Sequence, residues 1–229
     1  MILILKHEGS EGAGTLKEFL SNTRYGTREV ALYNNEALPS LDDCDAIVSM
    51  GGPMNVYEES RYSFLELENE FLKKAIEKRR PVLGICLGAQ LLAKCARGRV
   101  AKAAAKEVGW SKVRLTKAAH TDPLFKGMPE TMDVFQWHED TFAIPSNGAL
   151  LATGDAVKHQ AMRVGESAWA LQFHPEMTAQ IIGDWILRDR LGDAAGKEML
   201  DSYTALRAEY HRQSEILYSN FVEIISHNQ

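Results

Sequence analysis

The first 96 residues alternate between short apolar runs and longer runs with helical spacing, and this alternation limits the possible folds more than any other feature. The apolar, strand-like runs lie at 1–5, 29–34, 45–50 and 81–86. The helical patterns lie at 14–23, 63–80 and 87–96. Strands that alternate with helices usually pair in parallel and are covered by helices on both faces. The sequence therefore predicts an α/β fold with three layers: a mostly parallel central sheet between flanking helices.

The middle of the chain has a different pattern. Between Val100 and Ala152 the apolar runs are short and β-like, and loops rich in Pro, Gly and Asp separate them. Residues 161–176 predict a hairpin that turns at Gly165-Glu166 and whose second strand runs to His174. This region predicts an antiparallel extension of the sheet.

The pattern is helical from Thr178 to the end of the chain. We find no internal repeat, low-complexity tract or linker, so the sequence predicts a single domain over 1–229 with a helical C-terminal tail from about 185. The apolar residues of the tail suffice for one amphipathic face. Packing of this face on its own domain is favoured over packing on a neighbour, and the oligomeric state stays open.

Composition and charge exclude several classes of function. The net charge of −5 argues against a nucleic-acid or anionic-membrane partner, because both require a basic surface. No apolar run approaches the roughly 20 residues of a membrane span, and the N-terminal run lacks the features of a signal peptide. The three cysteines, Cys44, Cys86 and Cys95, do not suggest a disulfide framework. We therefore predict a cytoplasmic protein.

No motif predicts a metal or a cofactor. The histidines and cysteines show neither His-Glu-x-x-His nor Cys-x-x-Cys spacing, so no metal site is predicted. A phosphate-binding Gly-x-x-x-x-Gly-Lys loop is also missing from the sequence. The predicted ligand is a small-molecule substrate.

The stretch PVLGICLGAQLLAKC places Cys86 between Gly84 and Gly88, where a buried strand becomes a helix. A Gly-x-Cys-x-Gly at that point has the form of a nucleophile elbow, in which a tight turn presents the side chain at the carboxyl edge of the sheet. The start of a helix also favours the thiolate. The alternative is a buried structural cysteine in a glycine-rich turn.

Two further segments would complete a cysteine-based site. His174 is followed by Pro175 and Glu176, a spacing that lets the carboxylate fold back onto the imidazole and orient it. Gly51-Gly52-Pro53 ends another buried strand, so its free N–H groups could bind a developing negative charge together with the N–H of Leu87. A solvated histidine and an ordinary loop are the alternatives.

The combination of MGGPM, PVLGICLGAQLLA and LQFHPEMT resembles the class I (triad) glutamine amidotransferases, most closely stand-alone relatives of the glutaminase domain of GMP synthetase. The resemblance runs from residue 1 to about 185 and includes EVGW at 107–110 and WHED at 137–140. It implies a flavodoxin-like fold with the same layers and antiparallel extension. It also implies that the thiol at position 86 is a nucleophile.

The resemblance implies a role for each matching residue. Cys86 would attack the side-chain amide of glutamine and form a γ-glutamyl thioester, His174 would transfer protons, and Glu176 would hold His174. The Gly52 and Leu87 amides would form the oxyanion hole, and Gln90 would contact the bound glutamine. His138 borders the site in relatives but receives no catalytic role here.

The resemblance leaves three hypotheses for the function. The protein is a glutaminase that supplies ammonia to a separate synthetase subunit, a free-standing hydrolase of γ-glutamyl peptides or amines, or a non-catalytic binding protein that keeps the fold. The residues after the triad offer only a helical tail, so ATP-dependent amination by this chain alone is not expected. Arg97 and Arg99 lie in a segment where relatives tend to have a Gly-Gly pair. They could contact a substrate or a partner, but solvated surface arginines are the preferred interpretation.

Overall fold

A computed structural model describes residues 1–228 as a nine-stranded sheet with helices on both faces. The strands are β1 (Ile2–Lys6), β2 (Thr27–Ala31), β3 (Ala46–Ser49), β4 (Val82–Ile85), β5 (Val100–Leu115), β6 (Thr131–Phe142), β7 (Gly148–Gly154), β8 (His159–Val164) and β9 (Ala168–Leu171). The α-helices are α1 (Gly14–Ser21), α2 (Phe64–Glu77), α3 (Leu87–Cys95), α4 (Ala179–Arg188) and α5 (Asp193–His227). The sheet order is β2-β1-β3-β4-β9-β8-β7-β5-β6.

One half of the sheet is parallel, as the strand–helix alternation predicts. β2, β1, β3, β4 and β9 pair in parallel along their whole shared length. Every residue of β3, β4 and β9 is buried, which is typical of parallel strands covered on both faces. The carboxyl ends of these strands meet at one edge of the sheet, where open α/β folds bind their ligands.

The other half of the sheet is antiparallel, which confirms the predicted extension. β5 pairs with β6 and β7, and β8 pairs with β7 and β9, all in antiparallel register. The predicted hairpin forms between β8 and β9, but its second strand ends at Leu171 rather than at His174. The chain leaves β8 because the N–H of His174 donates to the carbonyl of Phe135 on β6, at 2.9 Å.

Successive residues of β1 separate the two helical layers. Ile2 and Ile4 pack against the face covered by α1 and α5, whereas Leu3 and Leu5 pack against the face covered by α2 and α3. Side chains of a strand alternate between faces, so one apolar strand contributes to both cores. The three predicted layers follow from this arrangement.

The described residues after position 178 form two helices, α4 and α5. Thr178 caps α4, its side chain accepting a hydrogen bond from the N–H of Ile181. α5 then runs 35 residues across α4, α1 and β6, with Tyr210, Leu217 and Phe221 buried. Among the helices of residues 1–228, none combines the length and apolar character that crossing a bilayer would require.

Candidate active site

Cys86 lies in the tight turn between β4 and α3. Its backbone has φ +52° and ψ −101°, a conformation that non-glycine residues rarely adopt. The neighbouring glycines are required by space: a Cβ on Gly84 would lie 2.5 Å from the Gly88 carbonyl oxygen, and one on Gly88 would lie 2.1 Å from that of Ser49. The strained, crowded turn predicted from the Gly-x-Cys-x-Gly motif is therefore present.

His174 and Glu176 lie together in the segment that follows β9. His174 Nδ1 donates to Glu176 Oε1 at 2.7 Å, and both side chains are almost completely buried. The other ring nitrogen of His174, Nε2, has no hydrogen-bond partner of ordinary length among the described residues. Since Nδ1 is occupied by the carboxylate, Nε2 is the nitrogen that remains for proton transfer.

The residues around His174 shift the pKa of its imidazole. Burial by itself lowers the pKa of His174, but the Glu176 carboxylate and the Cys86 sulfur raise it by more, so the net pKa lies well above the ordinary value of 6.5. Cys86 and His174 both lie against Gly51, and the Cys86 thiol donates to the Trp137 carbonyl at 3.8 Å. The arrangement favours a protonated imidazole beside the sulfur.

The loop after β3 brings Gly51 and Gly52 to the same place. A Cβ on Gly51 would lie 3.0 Å from His174 Cε1 and 3.7 Å from Cys86 Cβ, and one on Gly52 would lie 2.8 Å from Leu87 Cδ2. Within residues 1–228, the N–H groups of Gly52 and Leu87 donate no hydrogen bond. Leu87 is the first residue of α3, where N–H groups lack intrahelical acceptors. Both predicted oxyanion donors are thus free to bind a ligand.

A cleft of about 350 Å³ opens above the sulfur, with Cys86, Gly52, Gln90 and His138 in its lining. Gln90 is buried, and its amide nitrogen donates at 3.3 Å to the Asp140 carbonyl and also to Gln172. A larger groove of about 510 Å³ runs along α2, but it contains none of the predicted site residues. The chemistry of the lining, rather than the volume, identifies the candidate site.

The structure ties His138 into a buried network of its own. Its Nε2 lies 3.1 Å from Glu107 Oε2, and its Nδ1 lies 2.9 Å from the Asp140 carbonyl. Both ring nitrogens are therefore occupied, and the absence of a catalytic role for His138 stays a prediction. Arg97 and Arg99 follow the far end of α3, and neither lines the cleft.

Sequence analysis missed a cluster of charges at the cleft. Arg188, at the end of α4, donates to Glu11 at 2.7 Å and to Asp189 at 2.8 Å. Burial raises the pKa of the Glu11 carboxyl by more than Arg188 and His174 lower it, so the net pKa is raised. Glu11 and Arg188 are 177 residues apart and belong to no motif, so no local signal could have identified the pair.

Sequence analysis also missed the support that α5 gives to the segment 174–177. The Tyr210 hydroxyl donates to the His174 carbonyl at 2.8 Å and accepts from the N–H of Met177 at 3.0 Å. One and two turns further along α5, the hydroxyls of Ser214 and Tyr218 both donate to the Pro175 carbonyl. One face of the helix therefore binds the backbone on both sides of Glu176.

We expect Tyr210→Phe to destabilise the protein by about 1–3 kcal/mol, because it leaves a buried carbonyl and a buried N–H unpaired. Activity should fall with it, since His174 loses a backbone anchor. Urea unfolding and turnover measurements check the two effects. Tyr203→Phe is the matched control, because the Tyr203 hydroxyl lies 3.1 Å from His211 Nε2 on the same helix and does not bind the segment 174–177. Equal losses of activity in both variants would contradict the supporting role of Tyr210.

Fold and site together define a class: α/β proteins with a cysteine, a histidine and a glutamate gathered at the carboxyl edge of a parallel sheet. The sequence model described as Glutamine amidotransferase class-I matches residues 17–194. The chain belongs to the class I glutamine amidotransferase family. The resemblance noted from the motifs is thereby confirmed.

Individual relatives agree with this membership. The glutamine amidotransferase-like protein YfeJ of Salmonella typhimurium is 29% identical over 97% of each chain. A glutamine-hydrolyzing GMP synthase of Bacteroides fragilis is 35% identical over 73% of this chain but only 32% of its own length. The chain thus spans about a third of the GMP synthases that it matches.

Solved structures match nearly the whole chain. A glutamine amidotransferase from Thermotoga maritima has a TM-score of 0.89 at 28% identity and covers 97% of each chain. One from Methylobacillus flagellatus has a TM-score of 0.88 at 25% identity and covers 97% of this chain and 94% of its own. These matches confirm the predicted mostly parallel sheet with flanking helices.

Proposed function

We propose that the protein is a glutaminase that hydrolyses the side-chain amide of glutamine through a thioester on Cys86, with His174 and Glu176 completing a triad. The observation that carries the proposal is the placement of Cys86 on a strained turn beside an imidazole whose other nitrogen is bound by a buried carboxylate. Nucleophile, base and orienting group are the parts that covalent acyl transfer requires.

Acylation begins when the Cys86 sulfur attacks the amide carbon of glutamine. The C–S bond forms, and the π electrons of the carbonyl move to its oxygen, where the N–H groups of Gly52 and Leu87 stabilise the negative charge. The C–N bond then breaks as His174 Nε2 gives a proton to the leaving nitrogen. Ammonia leaves, and the γ-glutamyl thioester remains.

Deacylation repeats these steps with water. His174 Nε2 takes a proton from a water molecule while the oxygen of that water attacks the thioester carbon. The same two N–H groups bind the second oxyanion. The C–S bond breaks, and glutamate and the thiolate are released. Water and glutamine have then become glutamate and ammonia.

The proposal leaves two possibilities for the leaving nitrogen. The names of the GMP synthase relatives support delivery to a synthetase subunit, which would bind next to the cleft. In the alternative, the same thioester chemistry serves a free-standing hydrolase, and the leaving nitrogen belongs to a γ-glutamyl peptide or amine. Gln90 would contact the substrate in either case, because it lines the cleft one helical turn after Cys86.

The test measures glutamate and nitrogen release from glutamine and from a panel of γ-glutamyl peptides and γ-glutamyl amines. Release from glutamine supports the glutaminase and leads to a search for the acceptor. Faster turnover of a γ-glutamyl peptide or amine supports the free-standing hydrolase. If no compound of the panel acylates Cys86, as judged by the mass of the acid-quenched protein, the catalytic proposal fails and the non-catalytic hypothesis is preferred.

A further inference from the structure

His7 lies in a buried network directly beneath the Gly51-Gly52 loop. Its Nδ1 is 2.9 Å from the Gly51 carbonyl oxygen, and its Nε2 is 2.7 Å from Glu68 Oε2. Glu68 Oε1 in turn accepts a hydrogen bond from the Ser49 hydroxyl at 2.7 Å. All three side chains are 0% exposed. None of them belongs to the triad, and the sequence analysis did not single them out.

The hydrogen-bond partners in this network determine where its protons lie. A carbonyl oxygen only accepts hydrogen bonds, so His7 Nδ1 must carry a proton toward Gly51. Burial lowers the pKa of His7, but its contacts with Glu68, the Gly51 carbonyl and Glu11 raise it by more, so the net pKa lies above 6.5. A protonated His7 satisfies Gly51 and Glu68 at the same time.

The contact with Gly51 determines where the next N–H points. The Gly51 C=O and the Gly52 N–H belong to one peptide group, which is trans, so the two point in opposite directions. The C=O points to the buried His7. The Gly52 N–H is therefore on the opposite side, and Gly52 lines the cleft with Cys86.

A peptide between two glycines needs such a restraint. Glycine tolerates positive and negative φ almost equally, so the peptide between Gly51 and Gly52 can rotate at little cost unless something holds it. A rotated peptide would present its carbonyl oxygen to the cleft and would repel an oxyanion. Next to Ser49, the carbonyl of Met50 accepts a hydrogen bond from the N–H of Gly88, the residue that follows the second donor Leu87.

We propose that His7 is a positioning residue that holds the Gly51-Gly52 peptide with its N–H directed at the oxyanion. Glu68 holds His7, and Ser49 holds Glu68. The inference rests on the proposed function, since it assumes that an oxyanion forms on Cys86. It assigns a chemical reason for the presence of an ionisable pair in the core of the molecule.

Two variants separate the two contacts of His7. In His7→Asn the amide nitrogen takes the place of Nδ1, so the bond to Gly51 is kept and the bond to Glu68 is lost. In His7→Gln the amide nitrogen takes the place of Nε2, so the bond to Glu68 is kept and the bond to Gly51 is lost. His7→Asn should be the less stable variant, because it removes a partner from a buried carboxylate.

The readout is the affinity for glutamate γ-semialdehyde. The Cys86 sulfur adds to its aldehyde carbon, the C–S bond forms, and the carbonyl electron pair becomes an alkoxide that requires the oxyanion hole. Iodoacetamide is the control probe, because the sulfur displaces iodide and no oxyanion forms. Turnover of the best substrate and thermal unfolding are measured on the same variants.

We expect His7→Gln to lose about 10²- to 10³-fold in semialdehyde affinity and in kcat, the effect of losing one oxyanion donor. His7→Asn should stay close to the wild type in both, although it is less stable. Alkylation by iodoacetamide should be nearly unchanged in each variant. A purely structural role predicts the reverse order, with the less stable His7→Asn also the less active, and that order would overturn the inference.

Failure of the variants to fold and failure of the wild type to react each have their own consequence. If neither His7 variant folds, the double variant His7→Leu/Glu68→Leu serves instead, because a buried ionic pair can often be replaced by apolar residues of similar volume. This variant also lacks the bond to Gly51, so an unchanged semialdehyde affinity would overturn the inference. If the wild type neither turns over any γ-glutamyl compound nor binds the semialdehyde, the proposed function itself fails. That failure is visible before any variant is compared.

Discussion

Cys86→Ala is expected to lower kcat/KM for the preferred γ-glutamyl substrate by about 10⁴- to 10⁶-fold, the cost of removing a nucleophile from a triad. No other side chain is expected to take over, because the lining residues described for the cleft include no second thiol and no hydroxyl group. The protein should still fold, since alanine has the same backbone demands as cysteine at φ +52°. Glutamate release and unfolding by urea are measured on the same preparation.

Cys95→Ala is the matched control for this result. Cys95 lies at the opposite end of α3, where its thiol donates to Asn69, and it is not part of the cleft lining. Burial raises the pKa of the Cys95 thiol to about 12, so it is not a competing nucleophile near neutral pH. Near-normal turnover by Cys86→Ala, or an equal loss in Cys95→Ala, would refute the assignment of the nucleophile.

Glu176→Gln is expected to reduce kcat by about 10³- to 10⁴-fold, the loss seen when the orienting carboxylate of a triad becomes an amide. The glutamine side chain fits the same space but has no charge to stabilise a protonated His174. Its NH₂ group can also face Nδ1 and impose the wrong tautomer. Steady-state kinetics with glutamine, or with the preferred γ-glutamyl compound, provide the measurement.

The same variant changes how stability depends on pH. The folded pKa of His174 is raised above 6.5, so its interactions contribute stability that is fully present below about pH 6.5 and is lost as the pH rises through the folded pKa. Removing the Glu176 charge lowers that folded pKa. The difference in unfolding free energy between wild type and Glu176→Gln should therefore be larger at pH 6 than at pH 9.

Glu107→Gln is the control for both effects, because Glu107 forms a similarly buried pair with His138 and is not itself among the cleft-lining residues. We expect it to affect stability but to leave kcat close to the wild-type value. A kcat that falls as much in Glu107→Gln as in Glu176→Gln would mean that any buried histidine–glutamate pair matters equally. The special role of Glu176 would then be wrong.

The fold was largely readable from the sequence because its signals are local. A parallel strand buried on both faces is mostly apolar, as 1–5, 45–50 and 81–86 are. Helical spacing between these runs then leaves few arrangements other than three layers. The end of the last strand was misplaced because the Phe135 carbonyl that binds the His174 N–H is 39 residues earlier in the chain, on β6.

The core of the candidate site was also readable, since each of its parts is a short motif. Gly-x-Cys-x-Gly, His-Pro-Glu and Gly-Gly-Pro each span five residues or fewer. Their joint presence at the carboxyl edge of parallel strands follows from topology alone. The chemical roles given to Cys86, His174 and Glu176 still rest on the experiments described above.

Only the tertiary structure revealed what surrounds and supports these motifs. His7 meets Gly51 across 44 residues and Glu68 across 61, while Tyr210 meets His174 across 36. Each of these side chains has an ordinary appearance in its own segment, as a residue at a strand end or on a helix face. By itself the sequence determined the layers of the fold and predicted the candidate residues Cys86, His174 and Glu176, because both depend on local spacing. Only the tertiary structure decided which distant side chains hold the backbone of the site. A hydrogen bond between distant residues depends on their proximity in space and produces no periodic pattern in the sequence.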